Sequence, residues 1–313
     1  MPAPGRYYRK GLSFVDAVRM FPDDATAEAW FVKTRWPDGI TCPHCGSDNV
    51  QIGASHPTMP MRCRTCRKRF SVKTGTVMQG SNLGYQVWAL AGYLMSTNLK
   101  SVSSMKFHRE LAVTQKTAWH LAHRLRETWQ REQGFFTGPV EVDETYVGGK
   151  RKNMSRAKRK WLKGRGGVGK TIVVGAKDRE TNRIFAQVVP AADGKTLKSF
   201  VWQRAVKGAV VYTDEARAYQ NLKGFTHETV NHSVGEYVRK MAHTNGIESF
   251  WAMLKRGYQG TFHHFSAKHC NRYVGEFAGR HNIRRADTIV MMKHIALGMV
   301  GKKLRYRDLV ADG

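Results

Sequence analysis

Acidic residues are scarce in this chain of 313 residues: 24 Asp and Glu stand against 52 Lys and Arg, a formal net charge of +28. Such an excess repels itself in a compact state and calls for an anionic partner: nucleic acid, a membrane surface or an acidic protein. The cations are spread along the whole chain, which favours a polymer tracked over a long path. A basic protein with no polyanion partner is the bland alternative. Long apolar runs are also missing, so no segment reads as a membrane span. Met1 to Ser13 is basic without an apolar stretch and does not read as a signal peptide, which points to the cytoplasm. Cysteine is sparse as well. Four of the five cysteines lie in two CxxC pairs, which points to a metal site in a reducing compartment and away from a disulfide framework. Hydrophobic residues, at 41%, are in ordinary supply, so a core can be buried.

The texture changes along the chain. Phe14, Val18, Phe21, Ala29, Trp30 and Val32 recur at helical spacing, with Asp23-Asp24 as a helix start. From Leu83 to Trp129 the pattern is again helical, with Val87, Trp88, Ala91, Leu94 and Met95 in one apolar stripe. After Pro139 short β-rich runs follow: Val140–Val147, Thr171–Ala176, Ile184–Val189 and Ala209–Tyr212. Helical texture returns around Gly246–Lys255 and Tyr273–His281. The fold class is therefore α/β behind a helical N-terminal half.

Cys42-Pro-His-Cys45 and Cys63-Arg-Thr-Cys66, with seventeen residues between, have the spacing of a zinc ribbon. Four thiolates satisfy tetrahedral Zn²⁺, so His44 is not needed as a ligand. Gly46 permits a tight turn, and Arg67, Lys68 and Arg69 are placed to meet phosphates. The alternative, two redox CxxC motifs, lacks its βαβ context. Cys270 stands alone and reads as a small buried apolar residue. Further on, Ser101–Leu111, Ala112–Thr114 and Gln115–Arg126 read as helix, turn and helix, with Thr114 as the second cap. Gln115, Lys116 and Arg124 are the candidate DNA contacts of a recognition helix. An ordinary packed helical hairpin is the other reading.

An acid inside an apolar strand of so basic a chain calls for a reason. Alternation over Val140–Val147 puts Asp143 with Glu141 on one face and Glu144 with Val142 on the other. Asp214 follows the apolar run Ala209–Tyr212 at a strand's C-terminal end, where open sheets place their sites. Glu248 stands at a helix start, with Lys255 two turns along the same face. Brought together, three carboxylates would repel unless a cation neutralised them. Oxygen donors with open positions suit Mg²⁺ or Mn²⁺, and two such ions could activate a nucleophile and stabilise the leaving oxygen of a phosphodiester.

Val-Asp-Glu-Thr at Asp143, Tyr-Thr-Asp-Glu at Asp214 and His-Thr-Asn-Gly-Ile-Glu-Ser-Phe-Trp with Leu-Lys-Arg from His243 to Arg256 resemble the DDE motifs of bacterial insertion-sequence transposases, in the subgroup with an N-terminal zinc ribbon. The separation of 34 between Asp214 and Glu248 and the trailing Lys255 also match. The resemblance implies an RNase H-like mixed sheet flanked by helices, two Mg²⁺ or Mn²⁺ ions on Asp143, Asp214 and Glu248, and Asn245 as an assistant. It implies strand cleavage at element ends and attack of a freed 3′-hydroxyl on target DNA. The partners would be terminal inverted repeats and target DNA, with a homo-oligomer assembling on them and the protein on the nucleoid when bound. The division it implies is an N-terminal helical segment (1–39), a zinc ribbon (40–72), a helix-turn-helix region (83–130), a catalytic domain (138–265) and a C-terminal helical extension (266–313). A non-catalytic DNA-binding regulator and a nuclease that cuts without joining are the rival readings.

Gly164 to Thr171 satisfies the P-loop pattern, but a basic stretch precedes it and the β-branched run Thr171–Val174 follows, so no nucleotide is expected there. The insertion 148–170 reads instead as a flexible hairpin that clamps phosphates. Its cations are Lys150, Arg151, Lys152, Arg156, Lys158, Arg159, Lys160, Lys163, Arg165 and Lys170, with Arg256 elsewhere as a further DNA contact. A solvated loop is the alternative. Trp202 and Trp251 read as core aromatics, and His263, His264 and His269 as exposed or DNA-facing.

Overall fold

The computed structural model describes residues 10–129, 134–149, 151–162, 167–214, 217–230 and 243–311. Residues up to 131, together with those from 285 onward, make one compact unit, and residues 132–284 make the other.

The first unit opens with α1 (Phe14–Met20) and α2 (Asp24–Arg35). Ser13 and Asp23 cap them by accepting the N–H groups of Asp16 and Thr26 at 3.1 and 2.7 Å. The cysteine segment folds as a three-stranded antiparallel sheet of β1 (Val50–Ile52), β2 (Met61–Cys63) and β3 (Arg69–Phe70). Met61 and Phe70 fill its small core with Val32 and Trp36 at the end of α2. On α3 (Tyr85–Thr97) Trp88, Ala91, Leu94 and Met95 of the apolar stripe are buried, Trp88 completely, and Val87 is half-buried. Then come α4 (Ser104–Glu110) and α5 (Gln115–Glu127), joined by a turn in which Ala112 adopts φ +51°. Thr114 caps α5 from its side chain, as its position predicts.

In the second unit β4 (Val140–Val147) leads into the basic insertion. This segment is not a bare hairpin: it holds a 3₁₀ turn at Arg151–Asn153 and α6 (Arg156–Trp161). Next come β5 (Thr171–Asp178), β6 (Ile184–Val189), α7 (Gly194–Arg204), β7 (Val210–Asp214), β8 (Thr226–Val230), α8 (Asn245–Gly257) and α9 (Ala267–Asn282). The sheet order is β6-β5-β4-β7-β8. The first three strands pair antiparallel, and β7 and β8 lie parallel to β4, which is the expected RNase H-like mixed sheet. Thr171 opens a strand, so the glycine-rich stretch does not lead into the helix N-terminus a P-loop requires.

Alternation along the strands sends Val140, Val142, Val174 and Ala176 against Leu197, Phe200 and Val201 of α7. Val147, Val173, Ile184 and Ala186 go to the opposite face, under Ile247, Phe250, Trp251 and Leu254 of α8 and Val274 and Phe277 of α9. Each Val, Leu, Ile or Phe among them contributes roughly 1.5–3 kcal/mol when fully buried. Trp202 differs from expectation: it is 45% exposed, edge-on to Phe225 at the surface.

From residue 285 the chain rejoins the first unit. There α10 (Thr288–Gly298) packs on α2 and α3, and α11 (Tyr306–Val310) ends the described chain. The stretch 266–313, taken as one extension in the sequence, is thus shared: α9 lies in the second unit, α10 and α11 in the first. No helix among the described residues is long and apolar enough to cross a membrane.

Candidate active site

The site is built where β4 and β7 run side by side. Val140 faces Val211 and Glu141 faces Tyr212. Continued two residues beyond Glu141, this register leads to Asp143 on β4 and to Asp214, the last residue of β7, and the two carboxylates are close enough to repel. Burial is the main force on the Asp143 carboxyl, followed by repulsion from the carboxylates of Glu144 and Asp214, and together they push it up to about 7. Two hydrogen bonds act the other way: one from the backbone N–H of Glu144, the other from Trp251 Nε1, which donates to Asp143 Oδ2 at 2.9 Å. Glu144 points to the opposite face and accepts the Tyr219 hydroxyl at 2.9 Å. Its own carboxyl is raised by burial, with Asp214 adding to the shift.

The third acid comes from α8. Glu248 lies exposed in its first turn, and buried Thr244 donates to Glu248 Oε1 at 2.8 Å. Asn245, Lys255 and Arg256 are also exposed on this helix. Trp251 stands three residues after Glu248, nearly one turn on, so one helix carries both the acid and the indole that reaches Asp143. Gly175 makes room for that ring, since a Cβ there would lie 2.6 Å from Trp251 Cη2.

What holds α8 in place is Glu141. It is 1% exposed and accepts the Ile247 N–H and Arg179 Nε, each at 2.8 Å. Arg179 also donates to the His243 carbonyl, tying in the chain just before the helix. A carboxylate at a helix N-terminus satisfies a free N–H and complements the dipole. Gly246 is required by the close approach, as a Cβ would fall 2.6 Å from Glu141 Oε2. Strand alternation puts Glu141 beside Asp143, but its bracing role and that of Trp251 were missed in the sequence. The available signals were an acid on the strand face of Asp143 and an indole nearly one turn from Glu248.

Among the described residues, only Cys42, Cys45, Cys63 and Cys66 bring their ligand atoms within 4.8 Å of one another. Cys42 Sγ is 3.7 Å from Cys66 Sγ, and Cys45 Sγ is 3.6 Å from Cys63 Sγ. Four sulfurs about 2.3 Å from a tetrahedral ion stand about 3.8 Å apart, so the cluster fits structural zinc. The distances are far too long for a disulfide of about 2.05 Å. The N–H groups of His44 and Cys66 point at Cys42 and Cys63 Sγ, each at 3.4 Å, and orient the sulfurs. Gly46 and Arg67, which follow the second cysteine of each pair, both take positive φ, +77° and +61°. The two turns are therefore built alike.

On α5, Gln115 and Lys116 are exposed in the first turn. Arg124 departs from the sequence reading. It is 8% exposed, and its guanidinium donates to the carbonyls of Leu304 at 3.1 Å and Gln79 at 3.4 Å, so it braces the first unit from inside. In the insertion, Arg156, Arg159 and Lys160 are exposed and Lys170 is half-buried. Arg151 is exposed and donates to the carbonyls of Leu162 and Arg159. Lys150, Lys163 and Arg165 lie outside the described residues, as do the side chains of Lys152 and Lys158.

Residues 135–282 match the family described as the ISXO2-like transposase domain, and residues 22–69 match the transposase zinc-ribbon domain. Two segments of this chain are thus similar to the two domains of a transposase. The zinc-ribbon match contains all four clustered cysteines, and the transposase-domain match contains Asp143, Asp214 and Glu248. The chain is also 29% identical over 253 residues to an uncharacterized protein in transposable element ISH50 of Halobacterium salinarum, covering 76% of this chain and 84% of the relative. A shorter match, 29% over 102 residues, is to an uncharacterized transposase-like protein of Haemophilus influenzae. It covers 32% of this chain and 81% of the relative.

Proposed function

We propose that this transposase cuts DNA at the ends of its element and joins the freed 3′-hydroxyl to target DNA, with Asp143, Asp214 and Glu248 as the catalytic acids. The observation that carries the reading is the repulsion felt by Asp143 on β4 from Asp214 at the end of the adjacent parallel strand β7, with α8, the helix that carries Glu248, hydrogen-bonded to Asp143 through Trp251. Burial, with repulsion from neighbouring carboxylates behind it, raises the carboxyls of Asp143 and Glu144, and oxygen donors crowded in this way suit Mg²⁺ or Mn²⁺. Asp143 and Asp214 would hold two such ions and Glu248 would complete the second position. When bound, the ions lower the pKa of the attacking hydroxyl and neutralise the leaving oxygen.

The chain's own residues then have separate tasks. Trp251 favours the ionised form of Asp143 and points it by its hydrogen bond, and Thr244 orients Glu248. Lys255, exposed two turns beyond Glu248, meets a phosphate of the terminal DNA, and Asn245 assists at the helix start. In hydrolysis, water attacks phosphorus and the 3′-oxygen leaves, taking up a proton. In joining, that 3′-hydroxyl attacks a target phosphodiester, loses its proton and displaces another 3′-oxygen. Duplex DNA is gripped by Gln115 and Lys116 of α5, by Arg256, and by the basic insertion through Arg151, Arg156, Arg159, Lys160 and Lys170, in a homo-oligomer that pairs two ends.

The test is an assay of purified protein with a labelled element end, a target plasmid and Mg²⁺. Joined product is expected from the wild type. Asp143→Ala should lose cutting and joining while end binding stays. Cut but unjoined product from the wild type would mark a nuclease, binding alone a regulator, and a joining-competent Asp143→Ala would sink the assignment.

A further inference from the structure

The last described segment of the first unit runs the length of α5, from its C-terminal end to its first turn. Lys302 Nζ donates to the Glu127 carbonyl at 2.5 Å. The Leu304 carbonyl accepts from Arg124 Nε and His120 Nε2, both at 3.1 Å, and the Leu304 side chain is buried. The Tyr306 ring then packs edge-on to His120 at 5.6 Å and lies 4.6 Å below the Lys116 ammonium. Lys302, Leu304 and Tyr306 therefore face the helix, Lys303 and Arg305 alternate outward along the extended stretch between them, and Arg307 stands in the first turn of α11. All three are exposed. Arg305 shares Asp308 through bonds of 2.8–2.9 Å, and Arg307 is 74% exposed with Asp308 only at 4.0 Å. One acid against these three cations leaves the outer edge of the strap positive. A recess of about 490 Å³ opens where the strap meets the first turns of α5, lined by Lys116, His120 and Arg124 beside Tyr306.

We propose that this strap is a second phosphate-binding edge of the helix-turn-helix. Lys303 and Arg307 would grip the sugar–phosphate backbone of the duplex whose groove α5 enters, with Tyr306 positioning Lys116 between the two. The occupant is double-stranded DNA, argued from charge complementarity and from the continuity of the strap with the recognition helix. The inference rests on the DNA-binding reading of α5. A cation that meets a phosphate adds about 0.9 to the slope of log affinity against log salt for B-DNA.

Fluorescence anisotropy of the full chain with a short labelled duplex, titrated across salt, reads this slope. Lys303→Gln/Arg307→Gln alters two exposed side chains that cap no helix, so folding should persist, checked by circular dichroism. Its slope should fall by about 1.8, and that of Lys116→Gln by about 0.9. A normal slope in the double variant with a reduced one in Lys116→Gln overturns the strap and leaves the helix-turn-helix reading intact. Normal slopes in both overturn both readings. A reduced slope in the strap variant alone takes α5 out of the interface and overturns the composite surface.

Discussion

Trp251→Phe isolates the hydrogen bond that joins α8 to the acid pair. The substitution keeps a ring over Gly175 and deletes the indole N–H that Asp143 Oδ2 accepts at 2.9 Å. A hydrogen bond to an ionised group contributes about 1.5–3 kcal/mol. It favours only the charged form of Asp143, so its loss raises that carboxyl by about 1–2 units at 1.36 kcal/mol per unit. The direction in pH follows from the starting point. Burial and the neighbouring carboxylates hold Asp143 at about 7, above its ordinary 3.8. Its contribution to folded stability is therefore full below the unfolded value and is lost as pH rises through about 7. In the variant this loss moves to higher pH by the same one to two units. A divalent cation needs the ionised carboxylate, so its apparent affinity near neutrality should fall about fivefold or more, with the pH midpoint of binding displaced upward by at least about one unit. Calorimetric titration of Mg²⁺ into the apo protein across neutral pH, with near-ultraviolet dichroism to confirm packing, measures both quantities. An unshifted midpoint in a correctly packed variant would refute the role given to Trp251.

Glu141→Gln should leave Arg179 without its anionic partner beside the start of α8. Breaking a buried pair from one side costs about 3–5 kcal/mol, so urea unfolding should show a loss of that order, and a loss well under 1 kcal/mol would remove Glu141 as the brace. Cys42→Ser should abolish stoichiometric zinc and unfold the ribbon, since structural zinc supplies folding free energy directly. Elemental analysis and the methyl signals of Met61 would read this outcome, and a variant that kept its zinc and those signals would exclude Cys42 as a ligand.

The parts of the fold that were legible in the sequence are those whose cause is local. Alternation over Val140–Val147 identified a strand whose bounds the structure reproduces, and cysteine spacing identified the metal cluster. The cap at Thr114 marked the start of α5. β8 was missed because Thr226-His-Glu-Thr-Val230 has no apolar run; it forms by completing the sheet beside β7. Arg124 was misjudged for a related reason. Its place on α5 is local information, but the carbonyl that claims its guanidinium lies 180 residues away.

The acid site divides along the same line. Period two is enough to put Glu141 and Asp143 on one face of β4, yet it assigns them no different tasks. The difference comes from partners 106 and 108 residues on, because Ile247 N–H meets Glu141 and Trp251 Nε1 meets Asp143. Ile247 and Trp251 are four apart, so they stack on the same side of α8, while the two acids are two apart along the strand. One turn of helix advances about 5.4 Å and two strand residues about 6.6 Å, so the two contacts can form together. A helix held at both points has little freedom to slide along β4. Glu248 is carried between those two points, and its position relative to Asp143 is therefore set by a buried acid and an indole outside the proposed triad of acids.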